Sequence, residues 1–318
     1  MTTPLLEVTD LTVQYRGKGW RKPTFTALND VSLHIAQGET LGLVGESGSG
    51  KTTLGRAILG LVPVSSGSIR FEDAEIAQLR PRARRRLSRD IQVVFQDSYS
   101  SLNPAMSVES ILCEPLTVRG VSTADARRRV RELLDQVQLP ADAAHRHPRE
   151  FSGGQRQRIA IARALALGPK LIVCDEPVSA LDLSTQARVL DLFLQIQKDT
   201  GVSYLFVSHD LAVVRHICDR VVVMYLGRFV EMADRDTFFA NPKHPYTKAL
   251  MSAVPEADPE VQRGKQRFIL TGELPSPSNI PTGCAFHTRC PLATEICSLV
   301  RPELTQRVDG ALVACHHA

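Results

Sequence analysis

Residues 45–53, Gly-Glu-Ser-Gly-Ser-Gly-Lys-Thr-Thr, constrain the fold of this chain more than any other stretch. They follow a short apolar run, Thr40–Val44, that is typical of a core strand. After the loop, Leu54, Ile58 and Leu61 have the spacing of one helix face. Glycines let backbone N–H groups turn inward around phosphates, and the helix adds the positive end of its dipole. Strand, glycine loop and helix in this order predict a phosphate-binding loop.

The polar residues of this loop have predicted roles toward a nucleoside triphosphate. Lys51 is expected to place its charge between the phosphates, and the Thr52 hydroxyl is expected to ligate Mg²⁺. Further contacts to the nucleotide are expected from Gly45, Ser47, Gly48, Gly50 and Thr53. The sequence therefore predicts ATP and Mg²⁺ as cofactors.

A second apolar run, Leu171–Cys174, ends in two adjacent acids, Asp175 and Glu176. Asp175 is expected to stand at the carboxyl end of its strand, beside the phosphate loop, and to hold Mg²⁺ through water. Glu176 is then placed to polarise the attacking water as a general base. Together with the phosphate loop, the pair predicts hydrolysis of the bound nucleotide.

The pattern around these motifs predicts an α/β fold of the P-loop (RecA-like) class. Alternation of apolar and polar residues over Leu5–Tyr15 and Val31–Ile35 is typical of half-buried antiparallel strands. From about 103 to 154 the spacing is helical and rich in arginine, which indicates an inserted α-helical subdomain. Strands and helices then alternate again, as expected of a mainly parallel sheet covered by helices.

The composition changes near residue 241. Nine of the 19 prolines lie in the last 78 residues, and periodic segments become scarce. We expect a nucleotide-binding domain at 1–240 and a loop-rich extension at 241–318, with a cysteine-containing module at 272–318. A module of this kind buries little core and usually needs a covalent or metal staple.

The bulk properties of the chain exclude few classes of protein. Its 318 residues are enough for about two domains, and its net charge of +4 is weak evidence for any partner. No apolar run approaches the roughly 20 residues needed to span a bilayer. The N-terminus has neither a basic region nor an apolar region, so nothing indicates export. We therefore expect a cytoplasmic location.

Residues 151–155, Phe-Ser-Gly-Gly-Gln, resemble the signature of the ATP-binding cassette family, which usually has leucine in place of Phe151. The resemblance implies that two cassettes meet head to tail, with each ATP between one subunit's phosphate loop and the other's signature. Ser152 would add a hydroxyl donor, and Gly153, Gly154 and Gln155 would begin a helix that faces the γ-phosphate.

Other positions match the same family one by one. Gln96 resembles the residue that senses the γ-phosphate and Mg²⁺ and touches the membrane partner. Residues 179–182, which end in Asp182, resemble the loop that couples the two sites across the dimer. His209 resembles the switch histidine that contacts the γ-phosphate and orients the water. The resemblance therefore implies an active, hydrolysing cassette.

The base of the nucleotide is expected to stack on an aromatic ring near the start of the chain. Tyr15 is the first candidate, and Trp20 and Phe25 are its rivals in the same loop region.

The end of the chain narrows the resemblance to one branch of the family. Residues 95–104, 244–250, 272–277 and 283–291 resemble segments of bacterial dipeptide and oligopeptide importers, in particular of the second of their two ATPase subunits. The implied assembly has two permeases in the membrane, two ATPases (a heterodimer) on its cytoplasmic face and an extracytoplasmic substrate-binding protein. The departures from the pattern are small: Ser98, Val178 and Ile280.

Two other functions stay open at this point. Importers of nickel chelates or glutathione have similar ATPases. Cassette proteins also act on nucleic acid or ribosomes, but those typically carry two cassettes or a long coiled-coil insertion, and this chain has neither. A purely regulatory subunit is disfavoured because Glu176 and His209 are both intact.

Four of the seven cysteines lie near the end of the chain, and they allow three interpretations. A reducing cytoplasm disfavours disulfides, and zinc sites usually have closer cysteine pairs. A [4Fe–4S] cluster takes four thiolates and tolerates wider spacing, and the importer resemblance also points to one. We therefore expect an iron–sulfur cluster, with zinc or unligated thiols as alternatives. The expected ligands are Cys284, Cys290, Cys297 and Cys315, with His287, His316 and His317 as alternative ligands.

Overall fold

A computed structural model of the chain describes residues 3–15, 24–254, 263, 272–273 and 275–318. The chain divides into two compact units. The first unit consists of Met1–Ile35, Thr40–Gln78 and Ser208–Ala318, and the second of Ala36–Glu39 and Leu79–Val207.

The first unit contains a four-stranded antiparallel sheet in the order β2-β1-β4-β5. Leu6, Val8, Leu11 and Val13 of β1 are buried. The spacing of these residues is not strictly alternate, and a register shift against β2 between Val8 and Leu11 keeps all four side chains in the core. The strands are β1 (Leu6–Tyr15), β2 (Phe25–Ile35), β4 (Ser66–Phe71) and β5 (Ala74–Glu75).

A second set of paired strands in the first unit includes β3, the strand that leads into the phosphate loop. Every residue of β3 (Thr40–Val44) is buried, and β3 pairs in parallel with β9 (Arg220–Tyr225). Antiparallel pairing then continues through β10 (Arg228–Asp234) to β12 (Leu312–Val313). The last strand is β11 (Thr305–Gln306). The end of the chain therefore extends the sheet of the first unit, and a separate core for 272–318 is not confirmed.

In the described residues of the first unit, five α-helices have defined bounds. They are α1 (Lys51–Ile58), α8 (Leu211–Ile217), α9 (Arg235–Ala240), α10 (Pro245–Ala253) and α11 (Glu295–Leu299). None of the helices in the described parts of either unit is long and apolar enough to cross a membrane.

The second unit is built on a parallel sheet in the order β8-β7-β6. Its strands are β6 (Ile91–Val94), β7 (Leu171–Asp175) and β8 (Ser203–Ser208). Four of the five residues of β7 and all six of β8 are buried, as expected of strands covered on both faces. This confirms the α/β fold class predicted from strand and helix alternation.

The α-helices of the second unit lie between residues 81 and 200. Between β6 and the signature the chain forms α3, α4 and α5, and serine hydroxyls cap the last two at Ser107 and Ser122. The helices are α2 (Pro81–Leu87), α3 (Ser98–Ser101), α4 (Val108–Thr117), α5 (Thr123–Gln136), α6 (Gly153–Leu165) and α7 (Leu183–Thr200).

Candidate functional site

The phosphate loop connects β3 to α1 in the first unit, and two of its glycines are required by their surroundings. Gly50, the N-cap of α1, has a φ of 112°. A Cβ atom there would lie 2.7 Å from the Ala27 carbonyl oxygen. A Cβ atom on Gly45 would lie 2.2 Å from the Met224 carbonyl oxygen. A side chain at either position would therefore displace backbone, so these glycines are needed for the fold of the loop.

Lys51 folds back into the loop that precedes it. Its side chain is buried, and its Nζ donates to the carbonyl oxygens of Gly45 at 2.7 Å and Glu46 at 3.0 Å. Ser47 and Gly48 form the exposed tip of the loop, and Thr52 and Thr53 are half-buried in the first turn of α1. The Lys51 ammonium group therefore lies within the loop backbone, where its charge suits an anion.

The predicted adenine-binding aromatics are not rivals in the structure. Tyr15 stacks on Phe25, with ring centroids 5.4 Å apart and an interplanar angle of 29°. The Tyr15 hydroxyl lies 3.5 Å from the Thr53 hydroxyl. The two rings therefore form one aromatic pair beside the first turn of α1. Trp20 lies outside the described residues.

The candidate base and the candidate sensor meet in the second unit. Val94 of β6 pairs with Cys174 of β7, so Gln96 and Glu176 each lie two residues beyond this pair, at the same edge of the sheet. The Gln96 side-chain amide donates to the Glu176 carboxylate at 3.1 Å. A second contact joins Gln96 to the hydroxyl of Ser179 at 3.5 Å. The sequence predicted roles for both residues but not that one orients the other.

Glu176 has an unusual backbone conformation. Its φ of 48° is in the left-handed region, which costs a residue other than glycine roughly 1–2 kcal/mol. Its N–H donates to the Val207 carbonyl oxygen at 3.0 Å, and Asp175 pairs with Val207 as the last residue of β7. Strain of this kind persists where the surroundings over-determine it, and it concentrates at functional sites.

The signature residues begin α6 as a capping box. The Ser152 hydroxyl accepts from the Gln155 N–H at 3.3 Å, and the Gln155 side chain accepts from the Ser152 N–H at 3.0 Å. Phe151, which replaces the usual leucine, is buried under the guanidinium of Arg146, 4.3 Å from its ring centroid. The structure thus explains the departure at this position by a cation–π contact.

Gly154 is required for packing against the next helix. A Cβ atom there would lie 2.3 Å from Cγ2 of Thr185, whereas one on Gly153 would lie 3.5 Å from Leu181 Cδ2. Asp182 is the N-cap of α7 and accepts from the Thr185 N–H at 3.0 Å and the Ser184 hydroxyl at 2.7 Å. These hydrogen bonds, led by the one from Ser184, lower the pKa of Asp182. The starts of α6 and α7 therefore lie together.

The candidate switch histidine lies in the first unit. His209 is exposed and follows β8, directly before Asp210, the N-cap of α8. The Asp210 side chain accepts from the Ala212 N–H at 2.8 Å. This helix cap therefore fixes the backbone conformation immediately after His209.

The predicted iron–sulfur cluster is wrong. In the described ranges, which include all seven cysteines, no group of three or more His, Cys, Asp or Glu side chains could hold a metal ion. Every cysteine is a free thiol. Burial raises the pKa of Cys284 to about 11, and it also raises the pKa of Cys290 and of Cys315. The zinc alternative likewise has no support.

The alternative histidine ligands make other hydrogen bonds. His287 contacts the Cys284 carbonyl oxygen at 2.8 Å, and His316 contacts the Val300 carbonyl oxygen at 2.9 Å. His317 lies 2.9 Å from the Thr294 hydroxyl and 3.5 Å from the Cys297 sulfur. The contacts of His316 and His317 join the end of the chain to the α11 region.

Comparison with known proteins agrees with these features. Residues 28–179 match the ABC transporter family, and residues 230–297 match the C-terminal region of oligopeptide/dipeptide transporters. The oligopeptide transport ATP-binding protein OppF of Escherichia coli is 50% identical over 308 residues, with 94% of this chain and 92% of that protein covered. A Brucella ovis protein, provisionally named a peptide import ATP-binding protein, is 50% identical over 98% of both chains.

Solved structures show the same fold. A dimeric ATP-binding cassette in a post-hydrolysis state with ADP and Pi is 29% identical, with a TM-score of 0.65 over 72% of this chain and 98% of that one. The cbiO1 subunit of a Clostridium perfringens ABC transporter complex is 28% identical, with a TM-score of 0.68 over 75% of this chain and 91% of that one. The chain is an ATP-binding cassette ATPase. Within that class it belongs to the oligopeptide/dipeptide transporter family, as its motifs predicted.

Proposed function

We propose that this chain is an ATP-hydrolysing subunit that energises an importer of dipeptides or oligopeptides. The observation that carries the proposal is 50% identity to OppF over almost the whole of both chains, together with the matching C-terminal region. The nucleotide-binding domain is proposed to span 1–240 and the extension 241–318. The proposed location is the cytoplasmic face of the membrane, on two permease subunits that receive peptide from an extracytoplasmic binding protein.

The proposed roles in binding and hydrolysing ATP are assigned to residues described above. Lys51 neutralises phosphate charge from inside the phosphate loop, and Thr52, Asp175 and Gln96 are the proposed Mg²⁺ ligands. Glu176 takes the proton of the attacking water, and the hydrogen bond from Gln96 orients its carboxylate. Bound Mg²⁺ would neutralise the charge that develops on the phosphates. His209 is proposed to orient the water.

The signature is assigned to the nucleotide of a partner ATPase. Ser152 and Gln155 shape the start of α6 by their capping box, and a helix start is a favourable site for phosphate. Support comes from the dimeric arrangement of the cassette bound to ADP and Pi. We propose a heterodimer with a second, homologous ATPase, in which ATP binding closes the pair and hydrolysis reopens it.

The substrate class can be tested by transport competition. The chain is expressed with its permeases and binding protein in membrane vesicles, and uptake of a labelled tripeptide is measured with ATP inside. Unlabelled dipeptides or longer peptides should compete for uptake, and glutathione or a nickel chelate should not. If only a nickel chelate or only glutathione competed for uptake, the chain would instead be assigned to an importer of that substrate. Co-purification with nucleic acid in place of permeases would contradict a transport role.

A further inference from the structure

The C-terminal extension contacts the phosphate loop through one ion pair. Arg289 and Glu46 are 243 residues apart in the chain, yet the two guanidinium Nη atoms contact both carboxylate oxygens at 3.0–3.3 Å. The Arg289 side chain is only 10% exposed and that of Glu46 is 27% exposed. Forked arginine–carboxylate pairs that are shielded from water are stronger and more directional than single exposed contacts.

An aromatic cluster holds this pair in place. Phe286 is buried against Tyr225 and Tyr246, with ring centroids 5.3 and 5.5 Å away. The Tyr246 hydroxyl accepts from the Glu46 N–H at 2.8 Å. We call Tyr246, Phe286 and Arg289 the C-terminal clamp, because all three lie in the extension and together they bind the backbone and the side chain of Glu46.

Glu46 is a poor residue for a phosphate loop unless its charge is balanced. Its carbonyl oxygen accepts from Lys51 Nζ, so the backbone of Glu46 and the principal phosphate-binding charge are directly linked. An uncompensated carboxylate in this loop would repel the phosphates of a nucleotide, and partial burial would strengthen that repulsion. The guanidinium of Arg289 supplies the compensating charge and keeps the carboxylate turned toward the extension.

We propose that Arg289 is a positioning residue for ATP, which acts through Glu46 to set the affinity of the phosphate loop for polyphosphate. The proposal rests on the proposed ATPase function. It gives the extension a role in nucleotide binding. Any change that removes the C-terminal clamp from Glu46 should lower the affinity of the phosphate loop for ATP.

The test compares nucleotide affinity among charge variants of the full chain. Displacement of a fluorescent ATP analogue by MgATP and MgADP gives each Kd. Arg289→Gln should raise the Kd for ATP about tenfold, or ~1.4 kcal/mol, and raise that for ADP less because fewer phosphate charges are repelled. Arg289→Lys keeps the charge without the fork, so its loss should be smaller. Adding Glu46→Gln to Arg289→Gln should restore the affinity.

The control is the ion pair between Lys243 and Asp309, at 2.8 Å, which also joins two parts of the first unit but leaves Glu46 untouched. Lys243→Met should not change the Kd for ATP. In the assembled complex, Arg289→Gln should raise KM for ATP and leave kcat within about twofold. An unchanged Kd in Arg289→Gln, failure of Glu46→Gln to rescue it, or an equal loss in Lys243→Met would each overturn the proposal.

These outcomes are separable from failure of the proposed function. If the unsubstituted chain binds MgATP but its complex moves no peptide, the transport role fails and the Kd series still tests Arg289. If peptide uptake is normal and the Arg289 variants bind ATP like the parent, only the inference about Arg289 fails.

Discussion

The side-chain amide of Gln96 donates to the carboxylate of Glu176 across 3.1 Å, although 80 positions separate the two residues in the chain. Parallel pairing of β6 and β7 brings them to the same edge. The strained backbone of Glu176 and its hydrogen bond to Gln96 both fix where the carboxylate points. A general base needs this kind of orientation before its basicity is useful.

The first prediction concerns the base. Glu176→Gln should lower ATP turnover of the assembled complex by about 10²–10⁴-fold, because the amide cannot accept the proton of the water. The Kd for MgATP should stay within about threefold, since the substitution preserves size and removes no phosphate contact. Steady-state phosphate release and nucleotide titration measure the two quantities.

The exposed Glu303 provides the matched control, because Glu303→Gln makes the same chemical change outside the site. Its turnover should equal that of the parent. Normal turnover in Glu176→Gln would remove the residue from the mechanism.

The second prediction concerns the contact between α6 and α7. Gly154→Ala should destabilise the fold by about 1–3 kcal/mol, because the new methyl group would overlap Cγ2 of the stiff, β-branched Thr185. Gly153→Ala should cost less than Gly154→Ala, since its methyl group meets Leu181 at an ordinary distance. Denaturant unfolding gives both values.

Thr185→Ser removes Cγ2 and should rescue Gly154→Ala in the double variant. If Thr185→Ser leaves the loss unchanged, crowding between these two side chains is not its cause.

The third prediction concerns acid stability. Burial lowers the pKa of His244 to about 3, and its Nδ1 accepts from the Tyr246 N–H as the N-cap of α10. Between that value and about 6.5 the unfolded chain binds more protons than the folded one, so stability falls as pH falls. From pH 7 to pH 5 this histidine should remove about 2 kcal/mol of unfolding free energy. Asparagine can accept the same cap hydrogen bond without titrating, so His244→Asn should flatten this dependence.

Urea unfolding at a series of pH values measures the slope. Burial raises the pKa of the neighbouring Glu231, which acts in the opposite direction but equally in both proteins. His145→Asn, at an exposed site, should keep the parent slope. A His244→Asn protein that loses stability toward pH 5 as steeply as its parent would contradict the assignment.

The fourth prediction concerns the departure in the signature. Phe151→Leu should cost about 0.5–1 kcal/mol of stability, because leucine cannot offer a ring face to Arg146. ATP turnover should be unchanged, since the substitution keeps an apolar side chain ahead of Ser152. Thermal unfolding and phosphate release check the two expectations. A large drop in turnover at unaltered stability would mean that Phe151 contacts the nucleotide or a partner.

Much of the site was predictable because its signals are local. The glycine loop, the strand that ends in Asp175 and Glu176, and the start of α6 are each set by neighbours within a few residues. Backbone conformation, capping and apolar spacing act over that range. Tyr15 illustrates the limit, since the sequence makes Phe25 its competitor, whereas the pairing of β1 and β2 places the two rings together.

The prediction at the C-terminal cysteines was wrong, although both their spacing and the importer resemblance favoured a cluster. Four thiols in a proline-rich segment matched the donor set of a cluster, but ligation depends on where the side chains lie in the folded chain, and the order of residues does not show this.

From the order of its residues, this chain could be identified as a cassette ATPase with a phosphate loop, a signature and a candidate base, because each motif encodes its own local geometry. Folding was needed to join Gln96 to Glu176, Gly154 to Thr185 and Arg289 to Glu46. Those contacts depend on strand pairing and helix packing between distant segments. Such interactions stabilise the chain only after folding has brought the segments together.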